Sequence, residues 1–144
     1  YKHIKKIPFV DLKSQYLSLK EEFDAAILQV LSETAFISGK YAKEFEESFA
    51  KYIGTNHCVA VANGTDALEI GLQAIGIGAG DEVLVPANTF FATAEAVSNI
   101  GAKPVFVDID ENYYNIDSTK IEAKITPETK AIIPVHLYGL PAEM

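Results

Sequence analysis

From residue 57 onward, short apolar runs rich in β-branched residues alternate with segments of helical pattern. The strand candidates are residues 57–62, 82–86, 104–108 and 130–135, and the helix candidates between them lie near residues 65–75, 89–100 and 117–124. Near-continuous apolar strands separated by helices are typical of a parallel sheet that is buried on both faces. The pattern therefore predicts an α/β fold, with a mainly parallel sheet and helices on both of its faces.

Residues 1–55 have a different pattern and are predicted to form an N-terminal helical segment. Apolar residues recur there at helical spacing, which predicts two amphipathic helices separated by a break at Ser38-Gly39. The apolar stripes, which we expect to pack in a core, are Tyr16, Leu19, Phe23, Ile27, Val30 and Leu31, and then Tyr41, Phe45, Phe49 and Tyr52. Residues 34–40 between them are expected to be either a packed turn or a loop that reaches a ligand.

Charge and length limit the classes of protein that fit. The 144 residues suffice for one domain with its own core, and the formal charge of −8 with scattered basic residues argues against a nucleic-acid surface. All 12 basic residues are lysine, so this segment lacks the bidentate fork with which arginine usually holds a carboxylate. No apolar run approaches the roughly 20 residues of a membrane span, and we expect a cytoplasmic protein with no membrane partner.

The strongest candidate site follows the run that ends at Ala62. The chain there reads Asn63-Gly64-Thr65-Asp66 and enters a helix. The first backbone N–H groups of a helix have no partner within it and lie at the positive end of its dipole, which suits a phosphate. An Asn-Gly turn with Thr65 as an ordinary helix cap accounts for the same residues.

Further candidate residues follow the other predicted strands. Because parallel strands end at one edge of a sheet, side chains that follow them are expected to converge there, and these are Gly64, Thr65, Thr89, Asp108 and His136. Thr89 is expected to cap the next helix, and Asp108 either joins the site or only caps its own loop. Phe90 either stacks on a heteroaromatic ring or serves as a packing residue.

Several other sites are excluded by their spacing. Gly76-Ile77-Gly78-Ala79-Gly80-Asp81 resembles a dinucleotide fingerprint, but it closes a helix instead of opening one, and we expect it to be a helix C-cap. A single Cys58 and three distant histidines give neither a zinc pattern nor a hydrolytic triad.

Taken together, the motifs resemble those of the pyridoxal-phosphate sugar aminotransferases of the DegT/DnrJ/EryC1/StrS family. The resemblance runs from Ile7-Pro8-Phe9 to the last residues and includes Phe36-Ile37-Ser38-Gly39, Phe45-Glu46, Asn63 to Leu68, Gly80 to Val83, Pro86 to Phe90, Gly101 to Asp108 and Pro134 to Gly139. Within the family, the sequence is most similar to enzymes that aminate nucleotide-linked 3-keto-6-deoxyhexoses.

The resemblance implies a fold and a set of binding residues. The fold would be part of the large domain of aspartate-aminotransferase-like enzymes, with residues 56–144 as the first part of the cofactor-binding domain. Gly64 and Thr65 would hold the phosphate of pyridoxal 5'-phosphate, with Asn63 and Asp66 shaping the turn, and Phe90 would stack on the ring. His136 and Phe36 are candidates for contact with the substrate, although a packing role fits Phe36 as well.

The resemblance also implies what this segment lacks. Family members are longer, and the lysine that forms the Schiff base and the aspartate that pairs with the pyridine nitrogen would both lie after Met144. We therefore assign no catalytic residue here and expect a fragment of a longer chain. The family implies a homodimer that moves an amino group, usually from glutamate, to a nucleotide-linked keto-deoxy sugar. The alternatives are a sugar dehydratase of the same family, a noncatalytic homologue or assembly fragment and, more distantly, a nicotinamide dehydrogenase.

Overall fold

The computed structural model describes residues 7–37 and 39–144 and divides them into two compact units, which meet in sequence between Ala60 and Val61. The first unit contains three α-helices, α1 (Leu12–Ser18), α2 (Lys20–Glu33) and α3 (Lys40–Ile53). The prediction of two helices was wrong, because the chain departs from helical geometry at Leu19, where φ is −120° and ψ is 14°. Ser38, half of the predicted break, lies outside the described residues, and so do residues 1–6.

The apolar stripes of the first unit are not buried in a core. On α2, Phe23, Ile27 and Leu31 are each close to half exposed, and the same holds for Phe45 and Phe49 on α3. The expectation of a core was therefore wrong for this unit, since no described element covers the stripes. Along α3 the aromatic rings instead contact each other, with the ring centroids of Phe45 and Phe49 5.4 Å apart.

The second unit is built on a parallel sheet of three strands. These are β1 (Glu82–Pro86), β2 (Lys103–Val107) and β3 (Thr129–Ile132), in the order β2-β1-β3. Both neighbours run parallel to β1, which confirms the α/β class with a parallel sheet. The central position of β1 explains why all five of its residues are buried, whereas only Val107 is buried in β2.

Two apolar clusters cover the two faces of this sheet. On one face, Val83 and Val85 of β1 pack with Leu72 of α4 (Gly64–Ala74) and Val97 of α5 (Ala92–Asn99). On the other face, Leu84 packs with Val107, Ile116 and Ala142. Because successive side chains of a strand point to opposite faces, β1 contributes to both clusters.

Two of the predicted elements are not formed as predicted. Residues 57–62 form no strand, so that prediction was wrong; a strand needs a hydrogen-bonded neighbour, and no described residue pairs with this run. The helix predicted at 117–124 is instead two 3-10 turns, Ser118–Lys120 and Glu122–Lys124. The second face of the sheet is accordingly covered by short turns and loop segments.

The glycine-rich segment after α4 ends that helix, as predicted. Gly76 has φ of 86°, its N–H donates to the Gln73 carbonyl over 2.9 Å, and the Ile77 N–H donates to the Leu72 carbonyl over 3.1 Å. This pair of bonds is a Schellman motif, which requires a left-handed residue at the position of Gly76.

Candidate functional site

The first turn of α4 is closed by Asn63. Its backbone is extended, and its side-chain Oδ1 accepts a hydrogen bond from the Asp66 N–H over 2.9 Å. Its carbonyl accepts from the Ala67 N–H over 3.1 Å. Asn63 is therefore the N-cap, and the interpretation of Thr65 as the cap was wrong, because Thr65 lies two residues inside the helix.

Two backbone donors remain free in this turn. Among the residues that the structure describes, neither the Gly64 N–H nor the Thr65 N–H has an acceptor, and the Thr65 hydroxyl also has no partner. A Cβ added to Gly64 would meet no atom within 4 Å, so the space beside its backbone is open. Free donors at the positive end of an 11-residue helix, beside open space, fit an anion such as a phosphate.

The topology places this turn at the carboxyl edge of the sheet. The carboxyl end of α4 lies near the start of β1, since residues 75–81 alone join them, and Asn99 at the end of α5 donates to Glu69 in the middle of α4 over 2.6 Å. The two helices therefore run in the same direction, and α5 runs from the carboxyl end of β1 to the start of β2. Because α4 has 11 residues, with a rise of about 1.5 Å each, its first turn lies towards the carboxyl edge of the sheet.

Phe90 follows β1 at the same edge. Its carbonyl accepts from the Thr93 N–H over 3.1 Å, while its side chain is 80% exposed. Thr89 does not cap α5, contrary to expectation; its hydroxyl instead pairs with the Thr93 hydroxyl over 2.9 Å. This pair ties the turn to buried Thr93, and Phe90 beside it is largely exposed.

His136 follows β3, which ends at that edge as well. The imidazole Nδ1 accepts a hydrogen bond from the Ala142 N–H over 2.9 Å. Because Nδ1 is an acceptor, the proton of the neutral ring is on Nε2, which has no partner among the described residues. His136 is thus available as a hydrogen-bond donor.

Asn115 holds the turn that follows His136, and sequence reasoning missed it. It is only 5% exposed, its Nδ2 donates to the Leu140 carbonyl over 3.0 Å, and its Oδ1 accepts from the Leu137 N–H over 3.1 Å. Its partners are backbone atoms more than 20 residues away in sequence. No local pattern in one sequence could have identified it.

Both oxygens of the Asp108 carboxylate accept hydrogen bonds from other residues of the chain. Its Oδ1 accepts from the Ile109 N–H over 2.9 Å, and its Oδ2 accepts from Lys120 over 3.1 Å. These two hydrogen bonds hold the pKa of Asp108 below its ordinary value, with the Ile109 bond as the larger cause. The alternative that Asp108 only stabilises its own loop is therefore favoured over a place in the site.

Two further features are Phe36 and a cleft in the second unit. Phe36 lies in the first unit, just after α2, and is 62% exposed. A cleft of about 440 Å³ lies between the loop that contains Asp110 and Asn115 and the segment from Leu140 to Glu143, and none of the residues predicted for the site lines it. Across residues 7–37 and 39–144 there is no cluster of three potential metal ligands and no helix able to cross a membrane.

Curated relatives cover nearly all of this chain. It is 51% identical over 133 residues to a UDP-2-acetamido-2-deoxy-3-oxo-D-glucuronate aminotransferase of Pseudomonas aeruginosa, which covers 92% of the chain. It is 47% identical over 139 residues to a dTDP-3-amino-3,4,6-trideoxy-alpha-D-glucose transaminase of Streptomyces venezuelae, which covers 96% of it. The chain spans only 37% of the length of each relative.

Solved structures share the fold. DesV of S. venezuelae, in complex with a ketimine intermediate, superposes with a TM-score of 0.91 at 46% identity, over 96% of this chain and 37% of DesV. NtdA of Bacillus subtilis, with bound cofactor PMP, gives a TM-score of 0.88 at 42% identity, over 96% of this chain and 32% of NtdA. The chain therefore has the fold of the matching part of these two proteins.

The family comparison agrees with the motifs quoted from the sequence. Residues 17–144 match the DegT/DnrJ/EryC1/StrS aminotransferase family. This range contains the first turn of α4, Phe90 and His136. The chain belongs to the DegT/DnrJ/EryC1/StrS aminotransferase family.

Proposed function

We propose that the full-length protein is a pyridoxal-phosphate-dependent aminotransferase that moves an amino group from an amino acid, glutamate in the first instance, to a nucleotide-linked keto-deoxy sugar. The names of the Pseudomonas and Streptomyces relatives support the class of substrate, since both describe amino transfer to a nucleotide-linked sugar. The NtdA structure with PMP supports the cofactor. A cytoplasmic homodimer is part of the proposal.

The observation that carries the proposal is the free pair of N–H groups at Gly64 and Thr65. The phosphate of the cofactor would accept from both, and the Thr65 hydroxyl would add a third donor. Hydrogen bonds to a charged group are worth about 1.5–3 kcal/mol each, so three of them would anchor the phosphate firmly. Gly64 and Thr65 therefore fit the phosphate group of the cofactor.

Phe90 would orient the ring of the cofactor. Phe90 offers an exposed flat ring on a backbone that is tied to Thr93, and the open space beside Gly64 allows a bulky group to approach the α4 turn. When bound, pyridoxal phosphate supplies the electron sink that amino transfer requires. The residues of this chain would supply binding and orientation, and the lysine and aspartate implied by the resemblance would lie after Met144.

His136 is proposed to contact the substrate through Nε2, and Phe36 to lie in the loop that approaches the sugar nucleotide. A neutral imidazole with its proton on Nε2 can donate to a sugar hydroxyl, a carbonyl or a phosphate oxygen. The exposed apolar side chains of α2 and α3 support the proposed dimer, because exposed apolar surface of this extent usually marks an interface. Sedimentation of the full-length protein tests the dimer directly.

The test is cofactor retention in a full-length Thr65→Ala variant. Loss of a hydrogen bond to a charged phosphate should raise the dissociation constant for pyridoxal phosphate at least roughly tenfold, with little change in the choice of sugar. Thr119→Ala, which alters a threonine in the first turn of another helix, should leave the constant unchanged. Equal affinity in both variants would reject Thr65 as a phosphate ligand.

The reaction itself is tested on the same protein. With glutamate and a nucleotide-linked 3-keto sugar, the expected product carries the amino nitrogen on the sugar, which isotope-labelled glutamate traces. Loss of water from the sugar without nitrogen transfer would instead indicate the dehydratase. No spectral change on addition of pyridoxal phosphate would indicate a noncatalytic homologue.

A further inference from the structure

We infer that Asn115 is a positioning residue that fixes the tautomer of the His136 imidazole, with the proton on Nε2, by holding the turn that brings the Ala142 N–H to Nδ1. The inference rests on the proposed function only where it assigns a use to Nε2. It concerns a residue that no sequence motif marked.

The first step is the fixed geometry of the turn. Asn115 is almost fully buried and uses both ends of its amide, accepting from the Leu137 N–H and donating to the Leu140 carbonyl. An amide side chain can satisfy a donor and an acceptor at once, whereas a carboxylate or an apolar side chain cannot. The 3-10 turn Leu137–Gly139 is thus clamped at its beginning and just beyond its end.

The clamp acts against a strained backbone. Tyr138, in the middle of the turn, has φ of 51°, in the left-handed region that non-glycine residues rarely adopt. Such a conformation persists only where surrounding contacts hold it. The two Asn115 hydrogen bonds lie on either side of Tyr138 and supply those contacts.

The two Asn115 hydrogen bonds also determine the tautomer of the His136 imidazole. Leu140 is two residues before Ala142, whose N–H donates to Nδ1 over 2.9 Å, and Ala142 is itself buried against Leu84 and Val107. A backbone donor at Nδ1 excludes the tautomer with a proton there. The ring is therefore held as an Nε2–H donor at the carboxyl edge of the sheet, where the proposed substrate would bind.

The test is nitrogen NMR of the full-length protein labelled in its histidine side chains. His136→Gln identifies the signals of His136 by their disappearance. In the unaltered protein we expect an unprotonated Nδ1 and a protonated Nε2. In Asn115→Ala we expect the chemical shifts of both ring nitrogens to move towards the values averaged over the two tautomers. Asn112→Ala is the matched control, since Asn112 is an exposed asparagine in the same loop, and it should leave the signals in place.

A second variant covers the case in which Asn115→Ala does not fold. Asn115→Asp has the same size and keeps the acceptor for the Leu137 N–H, but it loses the donor to the Leu140 carbonyl, so the His136 signals should shift in the same direction by less. Unchanged signals in the folded Asn115 variants would overturn the inference.

Kinetics separate this inference from the proposed function. If Nε2 binds the sugar nucleotide, Asn115→Ala should raise KM for that substrate roughly fivefold, the equivalent of one hydrogen bond of about 1 kcal/mol, with a smaller effect on kcat. A changed tautomer with an unchanged KM would support the role of Asn115 and reject His136 as a substrate ligand.

Discussion

Lys103 donates a hydrogen bond of 2.7 Å to Oε1 of Glu82, the residue opposite it where β1 and β2 begin. Thr126 donates to the other carboxylate oxygen over 2.7 Å, and the Glu82 side chain is only 11% exposed. The Lys103 hydrogen bond, followed by that of Thr126, holds the pKa of Glu82 below its ordinary value. These contacts join β2 and the segment before β3 to the central strand, at the edge where the strands begin.

The first prediction concerns acid stability. Because the folded state lowers the pKa of Glu82, its contribution is fully present above the pKa of unfolded glutamate, about 4.3, and is lost as pH falls through the lower folded value. Urea unfolding of the full-length protein as a function of pH should show this loss, and Glu82→Gln should flatten it. Glu111→Gln, at an exposed turn carboxylate, should leave the curve unchanged, and a curve unaffected by Glu82→Gln would contradict the prediction.

The second prediction separates two adjacent phenylalanines. Phe90 and Phe91 are 80% and 72% exposed, so neither contributes much to packing among the described residues. Phe90→Leu should cost about 1 kcal/mol of cofactor binding, roughly fivefold in the dissociation constant, through loss of ring stacking. Phe91→Leu serves as the control and should bind the cofactor normally. A titration that gives the same constant for both variants would remove Phe90 from the site.

The third prediction concerns the Asn63 cap. Asn63→Ala removes the acceptor for the Asp66 N–H and should lower the free energy of unfolding by about 1 kcal/mol. Asn63→Asp retains a side-chain oxygen and should unfold close to the native midpoint. If denaturant unfolding shows the aspartate variant to be as unstable as the alanine variant, capping is not the reason for the loss.

The fourth prediction uses two glycines near the end of α4. Gly76→Ala places a Cβ on a residue with φ of 86° and should destabilise the protein by about 1–2 kcal/mol. Gly71→Ala lies inside the helix, where the added Cβ meets no atom within 4 Å, and should stabilise it by roughly 0.8–1 kcal/mol. Thermal unfolding should therefore shift in opposite directions, and shifts of the same sign would be inconsistent with the backbone geometry.

The fifth prediction is a double-mutant cycle on the hydroxyl pair of Thr89, which precedes α5, and Thr93, which lies in its first turn. Thr93→Val leaves the Thr89 hydroxyl without its partner and should cost about 1 kcal/mol. Adding Thr89→Val removes the unpaired group as well and should recover most of that loss. Additive losses in unfolding measurements would mean that the 2.9 Å contact does not stabilise the turn.

The elements that the sequence predicted well are those set by local pattern. Residues 82–86 contain the apolar run Val83-Leu84-Val85, which is what a strand buried on both faces requires, and β1 has the predicted bounds. The helix after Asn63 was also predicted correctly, because periodicity and start signals agree there. The run 57–62 has the same composition as a strand but lacks a partner, and pairing is not a local property.

The candidate site was likewise predictable only where its features are set by neighbouring residues in the sequence. The turn at Gly64 and Thr65 was predicted because the residues that signal the start of a helix are consecutive in the sequence. The cap itself was assigned to the wrong residue, since Asn63 and Thr65 both carry a suitable side-chain oxygen and only the extended backbone of Asn63 decides between them. Asn115 could not be found, because its hydrogen bonds join segments that are distant in sequence.

The assignment of the cap to Asn63 has a consequence for how enzymes of this kind can diversify. The start of the helix is stabilised by the Asn63 side chain, while the Thr65 hydroxyl makes no hydrogen bond among the described residues. Substitutions of Thr65, in evolution or by engineering, can therefore change the affinity of the proposed phosphate site without a loss of helix stability that another substitution would have to offset.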